Sequence, residues 1–379
     1  MNIVFIVVCA FPTGEASSIR ALNLTRLLAE CGHNVHVISD VAGEVCDNVP
    51  CTFESISSRQ DNVKARYYNA ISSVDHLKRY CSNHSVDVVL MNARSDRYNS
   101  VQKFCAEKGI KLLVESCEWY HFGNFKLKFL DPRFLQNELM ILHGFKKADG
   151  FISISRYLDN YNKSLGKPSV RIPTIMDVMT VPEGEGSHKD RIQIVYTGNP
   201  GNSKEYLAPM INILAEHESL RSAVQFHIYG PNQKQVLRNK GVTQEALTKA
   251  KDSVVIHGRI PQLEIQRVLM NADYQLFLRP NRKSSNAGFP TKLAESMAVG
   301  TPVITNDTGD IGLYVTDHKN GFLLSNLEEE ELIKCIKNCI AQTQEEKVRM
   351  RRSARYTAEQ SFDYHEYVTK TKKLFEGIK

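Results

Sequence analysis

The sequence lacks the patterns that would place it among membrane-spanning, disulfide-rich or nucleic-acid-binding proteins. No apolar run approaches the roughly 20 residues that a membrane-spanning helix needs. The nine cysteines are scattered without a C-x-x-C pair, which is typical of reduced thiols in a cytosol. A net charge of +6 over 379 residues is too mild to indicate a nucleic-acid partner. We therefore expect a cytoplasmic protein with no nucleic-acid partner.

Two motifs for cofactors and metals are missing as well. No G-x-G-x-x-G follows the first predicted strand, so a dinucleotide site is not expected there. No D-x-D occurs in a metal-binding loop, and Cys335 and Cys339 have no obvious partner ligands. We predict neither a metal ion nor a bound cofactor.

The patterns that are present indicate an α/β protein. Residues 2–8 form an apolar run typical of a central parallel strand, residues 19–31 an amphipathic helix, and residues 34–39 the next strand. This βαβ opening predicts a Rossmann-like domain. Residues 98–108 are predicted as a later helix, whereas residues 42–80 are polar, weakly patterned and assigned to no element.

A stretch rich in glycine and charge divides the pattern in two. At 379 residues the chain is too long for one compact core. Residues 179–190 are predicted to be a linker, and the alternation of strands and helices restarts at Arg191. The predicted parts are an N-terminal domain at 1–178, a C-terminal domain at 191–358 and a last amphipathic helix at 359–379.

The most informative stretch is 286–304, which is predicted to be a loop, a helix and a buried strand. Gly288 and Pro290 punctuate the loop, and residues 291–299 are good helix formers. The free N–H groups at the start of that helix, together with its dipole, favour an anion. Glu295 follows about one turn later. Amides for a diphosphate beside a carboxylate for ribose hydroxyls predict a nucleotide site.

The run from Gly288 to Glu295, followed by Met-Ala-x-Gly-x-Pro-Val-Ile, resembles the donor-site motif of the retaining glycosyltransferases of family 4. The resemblance covers nearly the whole chain; it is strongest at 288–304 and weaker at 145–177 and 115–135. It implies a GT-B fold, in which two Rossmann-like parallel-sheet domains face a central cleft and a C-terminal helix crosses back to the first domain. It also implies a nucleotide-sugar donor and a glycan or lipid-linked acceptor, as in bacterial surface polysaccharide synthesis, with no required metal.

Two positions depart from the family pattern. The family has two glutamates eight positions apart, and it uses the second for the ribose and the first for the transferred sugar. The second is Glu295 here, whereas the first position is Ala287. The sugar would then be held by backbone groups of residues 288–290 or by a residue that the sequence does not identify. A phosphate-binding arginine of the family corresponds to Asn199.

The loop at 198–205 is predicted to hold the donor phosphates. Lys204 matches the family's lysine, and a lysine at a glycine-rich helix start combines a cation with backbone donors. Arg259 and Lys292 are alternative replacements for the missing arginine, and a polar, basic loop at 279–286 is expected to lie over the donor. The predicted donor-binding residues are Gly14, Asn199, Lys204, Arg259, Gly288, Phe289, Pro290, Thr291, Lys292 and Glu295. The predicted catalytic residues are Lys204, Glu295 and His121.

The resemblance implies that the acceptor and one donor-phosphate contact lie at the first loop. Further acceptor contacts are expected at the end of a later strand, because active-site residues of open α/β sheets collect past the strand ends. Gly14 matches a family glycine in the first loop, although a tight turn alone also explains it. Glu118, Trp119 and His121 suit stacking on a sugar and bonding to its hydroxyls, with a packed loop as the alternative. Arg20, one turn into the first helix, either reaches an anion or lies in solvent.

Aromatic and basic residues interleave at 122–147. Such a mixture suits either a membrane-surface patch near a lipid-linked acceptor or a partly buried loop and helix. A peripheral contact with the inner membrane surface is therefore predicted as an alternative to a purely cytoplasmic location.

Three functions are compatible with these patterns. The first is a retaining glycosyltransferase that uses a nucleotide sugar. The second is a relative of the same fold that acts on the nucleotide sugar alone, as an epimerase or hydrolase. The third is a non-catalytic sugar- or lipid-binding scaffold, which Ala287 and Asn199 would suit.

Overall fold

The structure, a computed structural model, describes residues 1–44, 46, 48–57, 63–121 and 130–379. These residues form two compact units. Unit 1 comprises Met1–Asp177, Arg282–Phe289 and Asp363–Lys379, and unit 2 comprises Val178–Asn281 and Pro290–Phe362.

The described chain contains thirteen strands and fifteen α-helices. The strands are β1 (Asn2–Phe11), β2 (Asn34–Ala42), β3 (Thr52–Ser57), β4 (Val88–Asn92), β5 (Lys111–Ser116), β6 (Gly150–Ser153), β7 (Ser169–Arg171), β8 (Ile192–Thr197), β9 (Val224–Tyr229), β10 (Val254–Gly258), β11 (Tyr274–Leu276), β12 (Val303–Asn306) and β13 (Gly321–Leu324). The α-helices are α1 (Ala16–Glu30), α2 (Val63–Asn83), α3 (Tyr98–Lys108), α4 (Pro132–Leu139), α5 (Arg156–Ser164), α6 (Ala208–Glu216), α7 (Glu218–Ala223), α8 (Gln233–Leu237), α9 (Gln244–Lys249), α10 (Gln262–Met270), α11 (Lys283–Ala287), α12 (Thr291–Ala298), α13 (Glu329–Ala341), α14 (Gln344–Ser361) and α15 (Val368–Gly377). None of the helices in the described ranges has the length and apolar content to span a bilayer.

Each unit is built on one parallel sheet, and the two sheets share a topology. The described strands of unit 1 lie in the order β3-β2-β1-β4-β5-β6-β7, and those of unit 2 in the order β10-β9-β8-β11-β12-β13. The order reverses between β1 and β4 in the first sheet and between β8 and β11 in the second. Ligands of such folds bind past the carboxyl ends of the strands at this reversal. The predicted α/β class with two Rossmann-like domains is confirmed.

The end of the chain completes the core of unit 1. Asp363 caps a 3₁₀ turn at Tyr364–Tyr367 by accepting a hydrogen bond from the amide of His365 at 3.0 Å. Leu374 and Phe375 of α15 then pack in the hydrophobic cluster that contains β1 and α1. The C-terminal segment therefore returns to the first domain as predicted, although it does so as a turn and a helix rather than one continuous helix.

Two segments have more structure than their sequence predicts. Residues 42–80 contain β3 and most of α2, and the loop predicted at 279–286 contains most of α11. β3 is an edge strand whose residues are all at least partly exposed, so burial does not impose an apolar alternation on it. α11 is only five residues long, too short for a helical periodicity to be visible in sequence.

The stretch predicted as a linker is anchored to unit 2. The guanidinium group of Arg355 donates to the carbonyl oxygens of Val178, at 3.0 Å, and Val181, at 2.8 Å. The guanidinium group of Arg351 donates to the carbonyl oxygen of Gly184 at 3.2 Å. Both arginines are buried. The first part of the stretch therefore packs as part of unit 2 and is not a free connection.

Candidate functional site

Three neighbouring strands of unit 2 end in glycines that lie close together. The amide of Gly198 donates to the carbonyl of Tyr229 at 3.0 Å, and the amide of Gly230 donates to the carbonyl of Gly258 at 2.7 Å. A Cβ on Gly230 would lie 2.1 Å from the carbonyl oxygen of Gly198, and the φ of Gly230 is +114°. Only glycine fits there. The close approach fixes the start of the 198–205 loop at the carboxyl edge of the sheet.

The 198–205 loop leaves one of the predicted phosphate ligands unengaged. The side chain of Asn199 accepts from the amide of Gly201 at 2.9 Å, so this residue shapes the loop itself. Lys204 is exposed, and within the described residues its ammonium group makes no hydrogen bond or ion pair. Lys204 is therefore available to an anion past the end of β8.

A buried cluster joins this loop to the start of α12. Lys292 forms an ion pair with Glu205, and the hydroxyl of Tyr196 donates to the same carboxylate at 2.5 Å. The side chain of Glu205 is only 4% exposed and that of Lys292 only 11%. The Lys292 ammonium nitrogen also lies 3.5 Å from the place that a Cβ on Gly198 would take. The first turn of α12 and the loop after β8 are therefore neighbours in unit 2.

The charges of this cluster nearly cancel. Burial raises the pKa of Glu205, but Lys292 and Tyr196 outweigh burial and hold that pKa below its usual value. Burial lowers the pKa of Lys292; Lys204 and Arg279 add to this shift, and Glu205 opposes it. Glu205 is thus ionised at neutral pH and compensates Lys292. The positive charge that the loop presents to a ligand comes mainly from Lys204.

The start of α12 has the features of an anion site. Pro290 is the N-cap residue and provides no side-chain cap. The amides of Thr291 and Lys292 have no hydrogen-bond partner among the residues that the structure describes. Unpaired amides at a helix N-terminus favour a negative ligand. Gly288 and Phe289 precede the helix in chain order but pack in unit 1.

Glu295 lies one turn into α12 and is half-buried. Its carboxylate accepts a hydrogen bond from the side-chain amide of Gln262 at 2.9 Å. Burial raises the pKa of Glu295, while Lys292 and Gln262 counter that rise. Arg259 follows the edge strand β10, is exposed, and has no ion pair within the described ranges. Of the two candidates for the missing arginine, Lys292 is the one beside the 198–205 loop.

In unit 1, Gly14 lies in the loop past the end of β1. Its φ is +145°, and a Cβ at this position would lie 3.0 Å from the Cβ of Ala10. The turn therefore needs glycine whether or not a ligand binds there. The structure gives a conformational reason for Gly14, and its role in binding stays a prediction.

Arg20 does not lie in solvent. Its guanidinium group pairs with Glu115 at 2.5 Å and donates to the carbonyl oxygens of Ile172, at 3.1 Å, and Pro173, at 2.5 Å. Arg20 and Glu115 are both buried. This arginine ties α1 to the ends of β5 and β7. Its donors are used within the protein and do not reach an acceptor, contrary to the prediction.

The loop after β5 contains the other predicted acceptor residues. Trp119 is only 6% exposed, and its indole N–H donates to Glu138 at 2.6 Å. Glu118 is exposed beside Tyr120; burial and this carboxylate together raise the pKa of the Tyr120 hydroxyl. His121 is half-buried. The indole is therefore a packed side chain, whereas Glu118 is accessible.

Sequence reasoning missed Glu205, Tyr196, Glu138 and Lys283. Glu205 directly follows Lys204, the predicted phosphate ligand. A carboxylate at this position is not part of the family motif, so the sequence gives no reason to select it. Glu138 and Lys283 are 145 positions apart, and no local pattern connects them. The structure shows no cluster of three or more histidine, cysteine or acidic side chains suited to a metal within its described residues.

Comparisons with known proteins bear on both units. Residues 191–342 match the family model described as glycosyl transferases group 1. Sucrose-phosphate synthase from Thermosynechococcus elongatus superposes with a TM-score of 0.73 at 14% identity over 98% of each chain. Alr3699/HepE from Anabaena, in complex with UDP and glucose, gives 0.73 at 15% identity over 99% of each chain. WaaG, a glycosyltransferase involved in lipopolysaccharide biosynthesis, gives 0.69 at 15% identity over 98% of this chain and 99% of its own. No curated protein sequence matches the chain.

The chain therefore has the fold of the GT-B glycosyltransferases. Within it, residues 191–342 are similar to the group 1 glycosyl transferases, whose family model they match. The matched range contains the 198–205 loop and the start of α12, which are the parts of unit 2 that the sequence predicts to bind the donor.

Proposed function

We propose that the protein is a retaining glycosyltransferase of the family 4 type that moves a sugar from a nucleotide diphosphate sugar to a glycan or lipid-linked acceptor. The observation that carries the proposal is the juxtaposition of the 198–205 loop with the start of α12, through Lys292 and Glu205. It brings the Lys204 loop and the unpaired amides of Thr291 and Lys292 to one end of unit 2. A diphosphate needs such a set of donors.

The chemistry follows from where charge develops. The bond between the anomeric carbon and the diphosphate oxygen breaks, the sugar becomes positive, and the leaving phosphate gains negative charge. Lys204 and the α12 amides stabilise that negative charge. Glu295 binds ribose hydroxyls. The oxygen of the acceptor hydroxyl forms the new bond to the anomeric carbon, and the leaving phosphate accepts the proton of that hydroxyl. No protein nucleophile and no metal enter the scheme.

The acceptor is proposed to lie at the carboxyl edge of the unit 1 sheet. Glu118 and His121, which follow β5, are proposed to bind its hydroxyls. A role in bacterial surface polysaccharide synthesis in the cytoplasm is part of the proposal, because WaaG and the galactosyltransferase WaaB act in lipopolysaccharide assembly. UDP sugars are the first donors to test, since Alr3699/HepE is seen with UDP-glucose.

Glu295→Ala and Lys204→Ala test the donor site. Each is expected to raise the dissociation constant for UDP about 10-fold or more in calorimetry, because a hydrogen bond or ion contact to a charged group contributes about 1.5–3 kcal/mol. Lys249→Ala, at a lysine on α9 that makes exposed ion pairs, is the matched control and should leave the affinity unchanged.

Unchanged nucleotide affinity in both variants would remove the central argument. Donor turnover in the absence of any acceptor would instead indicate an enzyme that acts on the nucleotide sugar alone. Donor binding without turnover in any extract would favour the non-catalytic scaffold. Loss of turnover on adding EDTA would contradict the metal-independent scheme.

We also propose a peripheral contact with an anionic membrane surface, through the helical segment that contains α4. Leu135, Leu139 and Leu142 are 48%, 59% and 41% exposed and recur at helical spacing, so they form an apolar stripe on one side. Exposed Lys146 and Lys147 follow in the same segment. An apolar stripe beside basic residues fits the interface of an anionic bilayer. Residues 122–129, where the aromatic part of the predicted patch falls, lie outside the described residues.

Replacing the three leucines with serine is expected to lower binding to vesicles that contain an anionic lipid by more than about tenfold, since burying one leucine contributes about 1.5–3 kcal/mol. Vesicle flotation measures this. Tyr356→Ser, at an exposed apolar position of unit 2, is the control. Equal binding by the triple variant, or no binding by the native chain, would overturn the proposed contact.

A further inference from the structure

The chain leaves unit 2 just before the donor helix and returns to it at that helix. The strand β11 and the helix α12 are in unit 2, but residues 282–289, which connect them and contain α11, pack within unit 1. We call residues 282–289 the α11 segment. The peptide bond between Phe289 and Pro290 then leads directly to the N-cap of α12. Whatever holds the α11 segment therefore constrains the start of the donor helix.

One anchor holds the beginning of the segment. The ammonium nitrogen of Lys283 lies 3.8 Å from the centre of the Trp119 ring and 3.5 Å from a carboxylate oxygen of Glu138. The Trp119 indole N–H donates to that same oxygen at 2.6 Å. Tyr161 packs its ring edge against the indole, with centroids 4.6 Å apart. The lysine thus meets a carboxylate and an aromatic face that are themselves fixed.

A second anchor holds the end of the segment. The hydroxyl of Ser155 donates to the carbonyl oxygen of Ala287 at 2.7 Å, and both residues are fully buried. The amide of Gly288 donates back to the carbonyl of Ser284 at 3.2 Å, which closes the last turn of α11. Position 287 is where the family resemblance expects a sugar-binding glutamate. In this chain its backbone is bound by the first domain instead.

We propose that Trp119, Glu138, Lys283 and Ser155 are positioning residues for the donor site. They hold the α11 segment in unit 1 and so set where the amides at the start of α12 lie. This inference rests on the proposed function.

The test uses the full-length protein, with UDP as the probe in calorimetry and a UDP sugar in steady-state kinetics. Lys283→Ala and Glu138→Ala are each expected to raise the UDP dissociation constant and the donor KM about 5- to 10-fold, with little change in kcat. The double variant should match either single variant, because the two side chains act as one contact. Lys283→Arg should restore most of the affinity.

Controls separate positioning from a loss of folding. Lys103→Ala, at an exposed lysine on α3 of the same unit, should change neither the melting temperature nor the UDP affinity. Native UDP affinity in both alanine variants would overturn the inference, whether or not the melting temperature falls. Additive losses in the double variant would overturn the single-contact argument. If the native chain itself binds no nucleotide, the proposed function fails first and this inference with it.

Discussion

Lys292→Met is expected to lower the free energy of unfolding by about 3–5 kcal/mol, because it leaves the buried Glu205 carboxylate without its cation. Lys292 forms an ion pair with Glu205, and both side chains are nearly inaccessible. The charge of Glu205 is maintained by this contact, since burial alone would raise its pKa. For a unit of this size the melting temperature should fall by about 2–4 °C for each kcal/mol. Chemical denaturation and thermal unfolding measure the effect.

A double variant separates the charge from the packing. Lys292→Met combined with Glu205→Gln should recover much of the lost stability, because a neutral amide replaces the uncompensated carboxylate. The hydroxyl of Tyr196 can still donate to the amide oxygen of glutamine. Lys249→Met, at the exposed lysine of α9, is the control and should leave the free energy of unfolding nearly unchanged. If Lys292→Met were no more damaging than this control, the cluster would not be a structural part of unit 2.

Arg97→Met is expected to destabilise unit 1 by about 3–5 kcal/mol. The guanidinium group of Arg97 donates two hydrogen bonds to Asp40, at 2.6 Å and 3.0 Å, and both side chains are 1% exposed. This bidentate pair joins the loop after β4 to the end of β2. A buried carboxylate that loses its guanidinium partner keeps the cost of desolvation without the compensating attraction.

Arg94→Met provides the comparison for Arg97→Met. Arg94 pairs with Asp96 in the same loop at 2.9 Å, but its side chain is 38% exposed. Exposed pairs contribute about 0–1 kcal/mol, so the two substitutions should differ several-fold in equilibrium unfolding. Similar losses of unfolding free energy in the two variants would contradict the assignment of Arg97 and Asp40 as the pair that stabilises the contact between the loop after β4 and the end of β2.

Local signals explain what could be predicted of the fold. The helix predicted at 98–108 has these same bounds in the structure, and Gly109 ends it in the left-handed conformation with a φ of 68°. The first strand is predicted because residues of β1 are buried on both faces, which requires a continuous apolar run. The sequence of α2 does not predict a helix. Its exposed tyrosines and polar residues give no clear hydrophobic periodicity.

Long-range contacts explain what could not be predicted of the site. Trp119 is predicted to meet a sugar, because an aromatic residue past a strand end suits that role. In the structure its N–H is bonded to Glu138 and its face to Lys283. The position of Arg20, one turn into the first helix, likewise predicts contact with an anionic ligand. In the structure Arg20 forms a buried ion pair with Glu115 instead. A sequence gives the chemistry of each side chain, and only packing selects its partner.

The sequence by itself determined the two-domain α/β class, the GT-B resemblance and the position of the donor motif at 286–304. These follow from local composition, glycine placement and residue order. Only the tertiary structure decided that Glu205 compensates Lys292, that Lys204 contacts no charged partner among the described residues, and that the α11 segment belongs to unit 1. The physical reason is that burial and charge compensation depend on groups brought together across the chain, and their free energies are set by the low dielectric of the packed interior.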